Sequence, residues 1–584
     1  MEYPTLNVKQ KSRQMSDAFL GYNHNLRIGD GEFFDMKNMT SDYYPVLAPR
    51  SKRGVYRDGI RANGIIAKDK LCYVDGSAFV IGDERVEMGL SDSPKELISM
   101  GAYVIIMPDR KYIKTIKNEY ELEYEHGNID EEHSTTEEVE FTLCTITGES
   151  YDTDGIASDI APTNPVDGQL WIDTSSVPHT LKKYSKANEI WVSIATTYIM
   201  IKSEGIGVNL EQYDGVKISG IKDKDLADLN GSHALWGCAD DYIIITGILD
   251  KVTTQTSPIT ISRKMPVMDY IVESNNRLWG CRYGANEDGD TVNEIYASKL
   301  GDFKNWNCFM NTSADSYAVS CGTDGKFTGA IVHLGYPLFF KENYIHKVYG
   351  DYPSNFQLQN TACRGVQRGS HKSLAIVNET LFYKSLNGVC AYDGSLPVEM
   401  STALGEIRYR DAVGGAHGNK YYIDMATADG TYHLFVYDTA KGMWHKEDNL
   451  RVDAFCSHMN EMYGIDHDTK HIVTMLGSGT QDSKKLPWMV ETGLVGMTLP
   501  DMKYISRLLI RMALEAGASM KIGIQYDSIG EWEQVCQMVS TSLRSFSVPV
   551  RPRRCDHFRI RIEGEGVGRI YSITKTIEQG SDVS

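Results

Sequence analysis

Along most of this chain, apolar and polar residues alternate with a period of two, in short runs bounded by Gly, Asn and Asp. This is the pattern of strands with one buried face. The segment 70–80, KLCYVDGSAFV, is one such unit, in which Asp75-Gly76 supplies the positive backbone angles that a tight hairpin requires. Period-3.6 stretches are scarce, and only 94–100 and 222–229 read as short helices. The expectation is an all-β protein.

Similar units recur. The segments that begin at Pro337, Thr380, Lys420 and Glu461 carry the leading pairs Phe339-Phe340, Phe382-Tyr383, Tyr421-Tyr422 and Met462-Tyr463, spaced by about 40 to 43 residues, the period of a propeller blade. Earlier units sit at Cys72-Tyr73, Tyr103-Val104, Tyr242-Ile243 and Leu278-Trp279. A hairpin with two further strands cannot cover its own apolar faces, whereas radial stacking of such units buries them. The predicted body is a β-propeller of six to eight blades, with a set of meandering sandwiches as the alternative.

The spacing breaks between 120 and 220. An acidic run (Glu119, Glu121, Glu123, Glu125, then Asp130, Glu131 and Glu132) leads into this stretch and reads as a solvated loop or as a docking surface for a basic partner. Within 164–192, Trp171 and Trp191 flank turns rich in Gly, Pro and Asn, which predicts a small autonomous β module inserted between blades. Beyond Lys485-Leu486-Pro487, the segments 507–535 and 558–578 alternate again and predict a C-terminal β-sandwich. The expected division is 1–54, an N-terminal arm and first strands; 55–119, the first blades; 120–220, the inserted module; 221–485, the remaining blades; and 486–584, the sandwich.

Composition narrows the function classes. The chain has 584 residues, 41% of them hydrophobic, enough for several buried cores. Its 60 basic and 78 acidic side chains give a net charge of −18, which repels phosphate backbones at long range and argues against a general nucleic-acid coat. The first residues lack the apolar core of a secretory signal, and no apolar run approaches the roughly 20 residues of a membrane span, so no span is expected. Eleven cysteines with no Cys-x-x-Cys pair read as reduced core thiols.

Candidate chemistry is sparse. There is no G-x-S-x-G elbow, H-E-x-x-H or Walker A loop, and Gly205-Ile206-Gly207 reads as a turn. Asp288, Asp290 and Glu294 do not match a calcium loop, and the consecutive Cys555, Asp556 and His557 point to alternate faces of a strand. Asp315 with Asp324, and Asp424 with Asp438, read as turn aspartates rather than as a glycosidase pair, which needs two carboxyl groups about 5 Å apart. No enzyme, metal or cofactor is expected. Basic residues cluster early (Arg50, Lys52, Arg53, Arg57, Arg61) and late (Arg544, Arg551, Arg553, Arg554, Arg559, Arg561, Arg569). Either they cover strand faces and pair with acids such as Glu563 and Glu565, or they contact phosphate or an acidic neighbouring subunit. For the second reading the candidates are Arg50, Lys52, Arg53, Arg551, Arg553 and Arg554.

Several strings carry more than composition does: NNRLWGCRYG (275–284), VNEIYASKLGDFKNWNCF (292–309), TGAIVHLGYPLFFKENYIHKVYG (328–350), GVQRGSHKSLAIVNETLFYKSLNGVCAYDG (365–394), and the terminal stretches 31–54 and 553–566. Together they resemble the packaged-DNA stabilization and tail-nozzle family of tailed bacteriophages. The segment 164–192 is similar to a small module inserted in many phage tail proteins, while 120–220 as a whole has no counterpart in the stabilization family. The resemblance implies a structural virion protein made in the host cytoplasm. It implies a homo-oligomeric ring, commonly a hexamer, which meets portal, adaptor and tail-fibre or needle proteins, retains packaged DNA and conducts double-stranded DNA on infection, without catalysis. The alternative is a distal tail or baseplate protein that binds a cell-surface glycan.

Overall fold

A computed structural model describes residues 10–118, 120–286, 289–500 and 502–580; Glu119 and Asp288, named above, lie outside them. The described residues are strands joined by turns, with four short 3-10 segments. The stretch 94–100 is not a helix: Glu96–Met100 is a strand paired with Tyr103–Met107, with Ile98 and Met100 alternating into the core. Lys224–Leu229 forms a 3-10 helix whose first turn is capped by the Asp223 side chain. Among the described residues, no helix is long and apolar enough to cross a membrane. All eleven cysteines are free thiols, most of them buried.

The chain divides into two compact units. One runs to Lys95 and resumes with Phe339–Ile345 and from Thr361 onward; the other comprises Glu96–Leu338 and His346–Asn360. The division falls among the strands from Phe327 to Ala362.

Three four-stranded antiparallel meanders in the first unit are built from residues 62–87, 375–399 and 410–446. A fourth is made from both ends of a long stretch of chain: Val452–His458, Glu461–Asp466 and Ile472–Thr474 are completed by Gly54–Arg57. The closing strand comes so near its neighbours that a Cβ on Gly54 would lie 2.0 Å from the Ser478 carbonyl oxygen, so only glycine fits there. Within this unit, the first strands of successive meanders lie side by side: Ala375–Val377 by Arg410–His417, that strand by Val452–His458, and that one by Ala62–Ala67. The pairs Cys72-Tyr73, Phe382-Tyr383, Tyr421-Tyr422 and Met462-Tyr463 fall on the second strand of their meanders, where both faces are covered.

The same unit contains two further sheets. One has the order Lys11–Ser16, Gly568–Gln579, Lys503–Leu514, Arg544–Val548; the other runs Gly21–Tyr22, Glu32–Lys37, Pro487–Thr492, Phe558–Glu565, Ser519–Tyr526, Glu533–Met538. The strands of residues 11–37 are therefore not a separate arm. Lys11–Ser16 lies antiparallel to Gly568–Gln579, and Glu32–Lys37 to Pro487–Thr492, so the strands after 486 depend on N-terminal partners to complete their sheets. Their inward faces (Ile505, Leu508, Ile510, Met520, Ile522, Ile560 and Ile562) join Phe19, Phe33 and Trp444 in one core.

The second unit holds meanders built from 96–128 and 270–320, and here too first strands adjoin, Glu96–Met100 by Tyr270–Ser274. Between them the pairing draws an excursion with its own ends: Glu131–Ser134 pairs with Thr260–Arg263, which pairs with Gly215–Ser219. Tyr242-Ile243 belongs to this excursion, in a five-stranded sheet with Val139–Cys144 and Tyr198–Lys202, and not to a meander. Residues 157–193 make a small four-stranded sheet in which the Trp171 and Trp191 rings meet edge to face at 5.3 Å. Its Ile172 and Leu181 share a core with Val139, Phe141 and Ile199, so it is packed onto the rest of the excursion.

Candidate functional site

Of the six basic residues singled out by the sequence, Arg50 and Arg53 enter the protein interior. Met39–Thr40 and Ala48–Pro49 form a two-stranded ribbon that leads the chain past the meander of residues 410–446. Asn38, at φ 56°, turns the chain so that its backbone N–H donates to the Glu447 carbonyl (2.5 Å) and its own carbonyl accepts from the Arg50 N–H (2.9 Å). The Arg53 guanidinium then forks onto two adjacent carboxylates, 2.6 Å to Glu447 Oε2 and 2.6 Å to Asp448 Oδ2, while Arg50 reaches Asp448 at 3.0 Å and Asn38 Oδ1 at 3.1 Å. Arg50 is 8% exposed and Glu447 4%. Burial raises the Asp448 carboxyl, but Arg53 and Arg50 outweigh it and hold the group down at about 2. Burial and the neighbouring Arg53 depress Arg50, whereas in Arg53 the two carboxylates overcome burial and the group is raised. Lys52, between them, turns outward to Asp482 and the Lys484 carbonyl (2.5 Å).

Arg50 and Glu447 also line a cavity of about 400 Å³. The turns at His417–Lys420 and Asp438–Lys441 open at the same end of one meander, and the ribbon bearing Thr40 and Asp42 closes over them. Every charge in it has a partner. Lys420 Nζ lies 2.6 Å from Asp42, and Lys441 Nζ lies 2.9 Å from Asp438, which also accepts from Ser41 Oγ at 2.6 Å. Burial raises Asp42 and Asp438, yet Lys420 on the one and the Ser41 and Lys441 contacts on the other keep both below the ordinary carboxylate range. Tyr422 lines the cavity at 2% exposure; burial and then Glu447 raise its hydroxyl well above the usual value. Next to these groups His445 is fully buried, and burial, reinforced by Lys420, pushes it down to about 3.

Asp424 and Asp438 separate in role. Asp438 is a turn aspartate, accepting from the Ala440 and Lys441 N–H groups at 3.1 Å. Asp424 sits within Lys420–Ala426, fully buried, accepts from the Val452 N–H at 3.0 Å, and is pushed up by burial to about 7. Asp315 accepts from the Met310 N–H and Thr312 Oγ1, again within a turn.

The late cluster is arranged differently. Arg551, Arg553 and Arg554 are all exposed. Arg553 bridges to Glu533 at 2.6 Å with both side chains more than half exposed, and its guanidinium lies 5.1 Å from the Tyr526 ring centre. The Arg551 carbonyl accepts from the Tyr526 hydroxyl. Arg559 and Arg561 converge on buried Glu491 at 3.0 and 2.8 Å, with Glu563 a longer 3.8 Å contact of Arg561. The carboxylates that mattered, Glu447, Asp448 and Glu491, were not singled out from sequence. The one signal for the first two was two acids side by side after an apolar strand, in HKEDNL (445–450). Among the described residues, no three His, Cys, Asp or Glu side chains gather as a metal site.

No protein-family model and no curated protein matches the chain. Solved structures resemble it distantly. BamB from Moraxella catarrhalis is 10% identical with a TM-score of 0.30, covering 74% of this chain and 99% of that one. Trypanosoma rangeli sialidase is 9% identical with a TM-score of 0.20, covering 91% and 96%. An exo-β-1,3-galactanase from Phanerochaete chrysosporium is 9% identical with a TM-score of 0.22, covering 52% and 94%. The chain itself is all-β, with many four-stranded antiparallel sheets.

Proposed function

We propose that this chain is a structural protein of a tailed-phage virion, several copies of which form a ring at the head-to-tail junction or tube exit that retains packaged DNA and conducts it during infection. Its body is a propeller of six to eight blades. The reading rests on the strings that resemble the stabilization and nozzle family. Its main support in the fold is the weaving of distant chain segments into shared sheets: Lys11–Ser16 lies along Gly568–Gln579, and Gly54–Arg57 completes the sheet of Val452–His458, Glu461–Asp466 and Ile472–Thr474. Pulling such a strand along its length strains a whole row of ladder hydrogen bonds together, which suits a part that holds back internal pressure. The net charge of −18 lets DNA pass without sticking. Arg551, Arg553 and Arg554, exposed together, are the proposed contacts to an acidic neighbour or to phosphate.

The test is immunogold electron microscopy of intact particles with an antibody against residues 486–584. Gold at the portal vertex is the expected result. Label at the far end of a tail would transfer the proposal to glycan or receptor binding, and particles free of the chain by both labelling and mass spectrometry would overturn it.

A further inference from the structure

We propose that the cavity between the Thr40–Asp42 ribbon and the turns His417–Lys420 and Asp438–Lys441 is a binding site for a neutral polyhydroxylated ligand, a monosaccharide or the terminal residue of a glycan. The inference rests on the geometry of the first unit alone and is independent of where the protein sits in a particle.

Three observations carry it. The first is a hydroxyl without a partner. Tyr422 is 2% exposed and lines the cavity, yet its hydroxyl makes no hydrogen bond among the described residues, only longer-range contacts with the charges around it. A hydroxyl on a cavity wall that no protein group engages can both donate to and accept from a ligand oxygen. The second is charge balance. Asp42 faces Lys420, Asp438 faces Lys441, and Glu447 faces Arg50 and Arg53. A charged ligand entering this space must break one of those pairs or lie beside a like charge, whereas a neutral ligand leaves all of them intact.

The third is the supply of donors and acceptors that remain after those pairs are made. Lys420 gives two of its three ammonium protons to Asp42 and Thr40, and Lys441 gives one to Asp438. The Asn419 side-chain oxygen accepts from Asn378 at 3.0 Å, which leaves its two amide protons for another acceptor. Ammonium and amide donors, carboxylate acceptors and the Tyr422 hydroxyl thus all line a space of about 400 Å³, near the lower end of the range of about 300–1,000 Å³ found for ligand pockets. Vicinal hydroxyls, each both donor and acceptor, suit that mixture of donors and acceptors. Met475 and Leu476 supply an apolar wall for the carbon face of a sugar ring. Entry is from the Asp42 side, where that carboxylate is 58% exposed.

The experiment is saturation-transfer NMR on the full chain with D-glucose, D-galactose, N-acetyl-D-glucosamine and L-rhamnose, and with glycine and inorganic phosphate as charged probes. At least one sugar should show transfer, and Tyr422→Phe, which removes a single oxygen, should weaken that sugar's binding about 5- to 10-fold. Asn419→Ala, at an exposed turn, should weaken it as well, and unchanged thermal melting of both variants would separate a lost contact from a lost fold. No transfer from any of the four sugars would overturn the proposal. So would transfer that both variants leave unchanged, or binding of glycine or phosphate in preference to the sugars.

Discussion

Arg50 and Arg53 near one end of the chain, and Arg551, Arg553 and Arg554 near the other, look alike in sequence: short clusters of basic residues close to a domain junction. The fold treats them in opposite ways. The early pair is buried against Glu447 and Asp448, where little water screens the charges and each hydrogen bond is costly to lose. The late group stands in solvent, where the ion pair of Arg553 with Glu533 competes with water and salt. An arginine cluster therefore says little until its carboxylate partners are located, and for the early pair those partners are nearly 400 residues away.

The comparison breaks most sharply at Arg53. Replacing it by Met leaves Glu447 and Asp448 to Arg50 alone and strands negative charge in the interior, at a cost of about 3–5 kcal/mol. The expected outcome is faster hydrogen exchange in Met443–Lys446 and in the ribbon Met39–Thr40 with Ala48–Pro49, with no change in the meander of 270–320. Wild-type exchange in those segments would refute the assigned role.

Asp424 sharpens the contrast between a carboxylate with a cationic partner and one without. Its carboxyl is pushed up to about 7 from an ordinary 3.8, so the folded state prefers it protonated. Stability from this group is fully present below pH 4 and is lost as pH rises to about 7, after which the loss is constant. Asp424→Asn keeps an oxygen for the Val452 N–H and carries no charge, so the variant should exceed wild type by about 2–4 kcal/mol in urea unfolding at pH 8 and match it at pH 4. Equal stability at pH 8 would show that the group finds a compensating partner.

Asp448 has the opposite sign. Held at about 2 by Arg53 and Arg50, it contributes stability above pH 4 that disappears as pH falls towards 2, an amount of about 2 kcal/mol. Comparing wild type with Asp448→Asn between pH 5 and pH 2.5 isolates it: the gap should close on acidification, and a constant gap would mean that packing rather than charge fastens the ribbon.

The local part of this architecture was legible and the long-range part was not. Seven of the eight paired positions read from sequence, among them Tyr421-Tyr422 and Leu278-Trp279, fall on strands of the meander series, because a doubly covered second strand must carry consecutive apolar residues. Tyr242-Ile243 carries the same signal for the same reason, being the second strand of a five-stranded sheet, so apolar pairs report burial on both faces and not the kind of sheet. The partners of Lys11–Ser16 and Gly54–Arg57 were hidden because antiparallel register between distant segments leaves no spacing rule in the chain. The cavity at Tyr422 was hidden for a related reason: its walls come from 40–51, 417–422, 438–447 and 475–476, and none of those stretches holds a chemical motif.

The smallest effect on stability belongs to the late cluster. Arg551, Arg553 and Arg554 changed together to Ser should alter unfolding by less than about 1 kcal/mol, since all three are exposed and the Arg553–Glu533 pair is between side chains more than half exposed. If these residues serve only their own fold, particles assembled with the triple variant will hold their DNA as wild-type particles do. If they meet an acidic neighbour or phosphate, as proposed, the variant will fold normally yet lose ring assembly or DNA retention, and the loss will deepen as salt rises, because the remaining exposed contacts are screened. The same salt series on Arg53→Met should leave its defect almost unchanged, since the carboxylates it strands are shielded from counterions. A salt-dependent defect in one variant and a salt-independent one in the other would separate an arginine that faces a partner from one that fastens the fold.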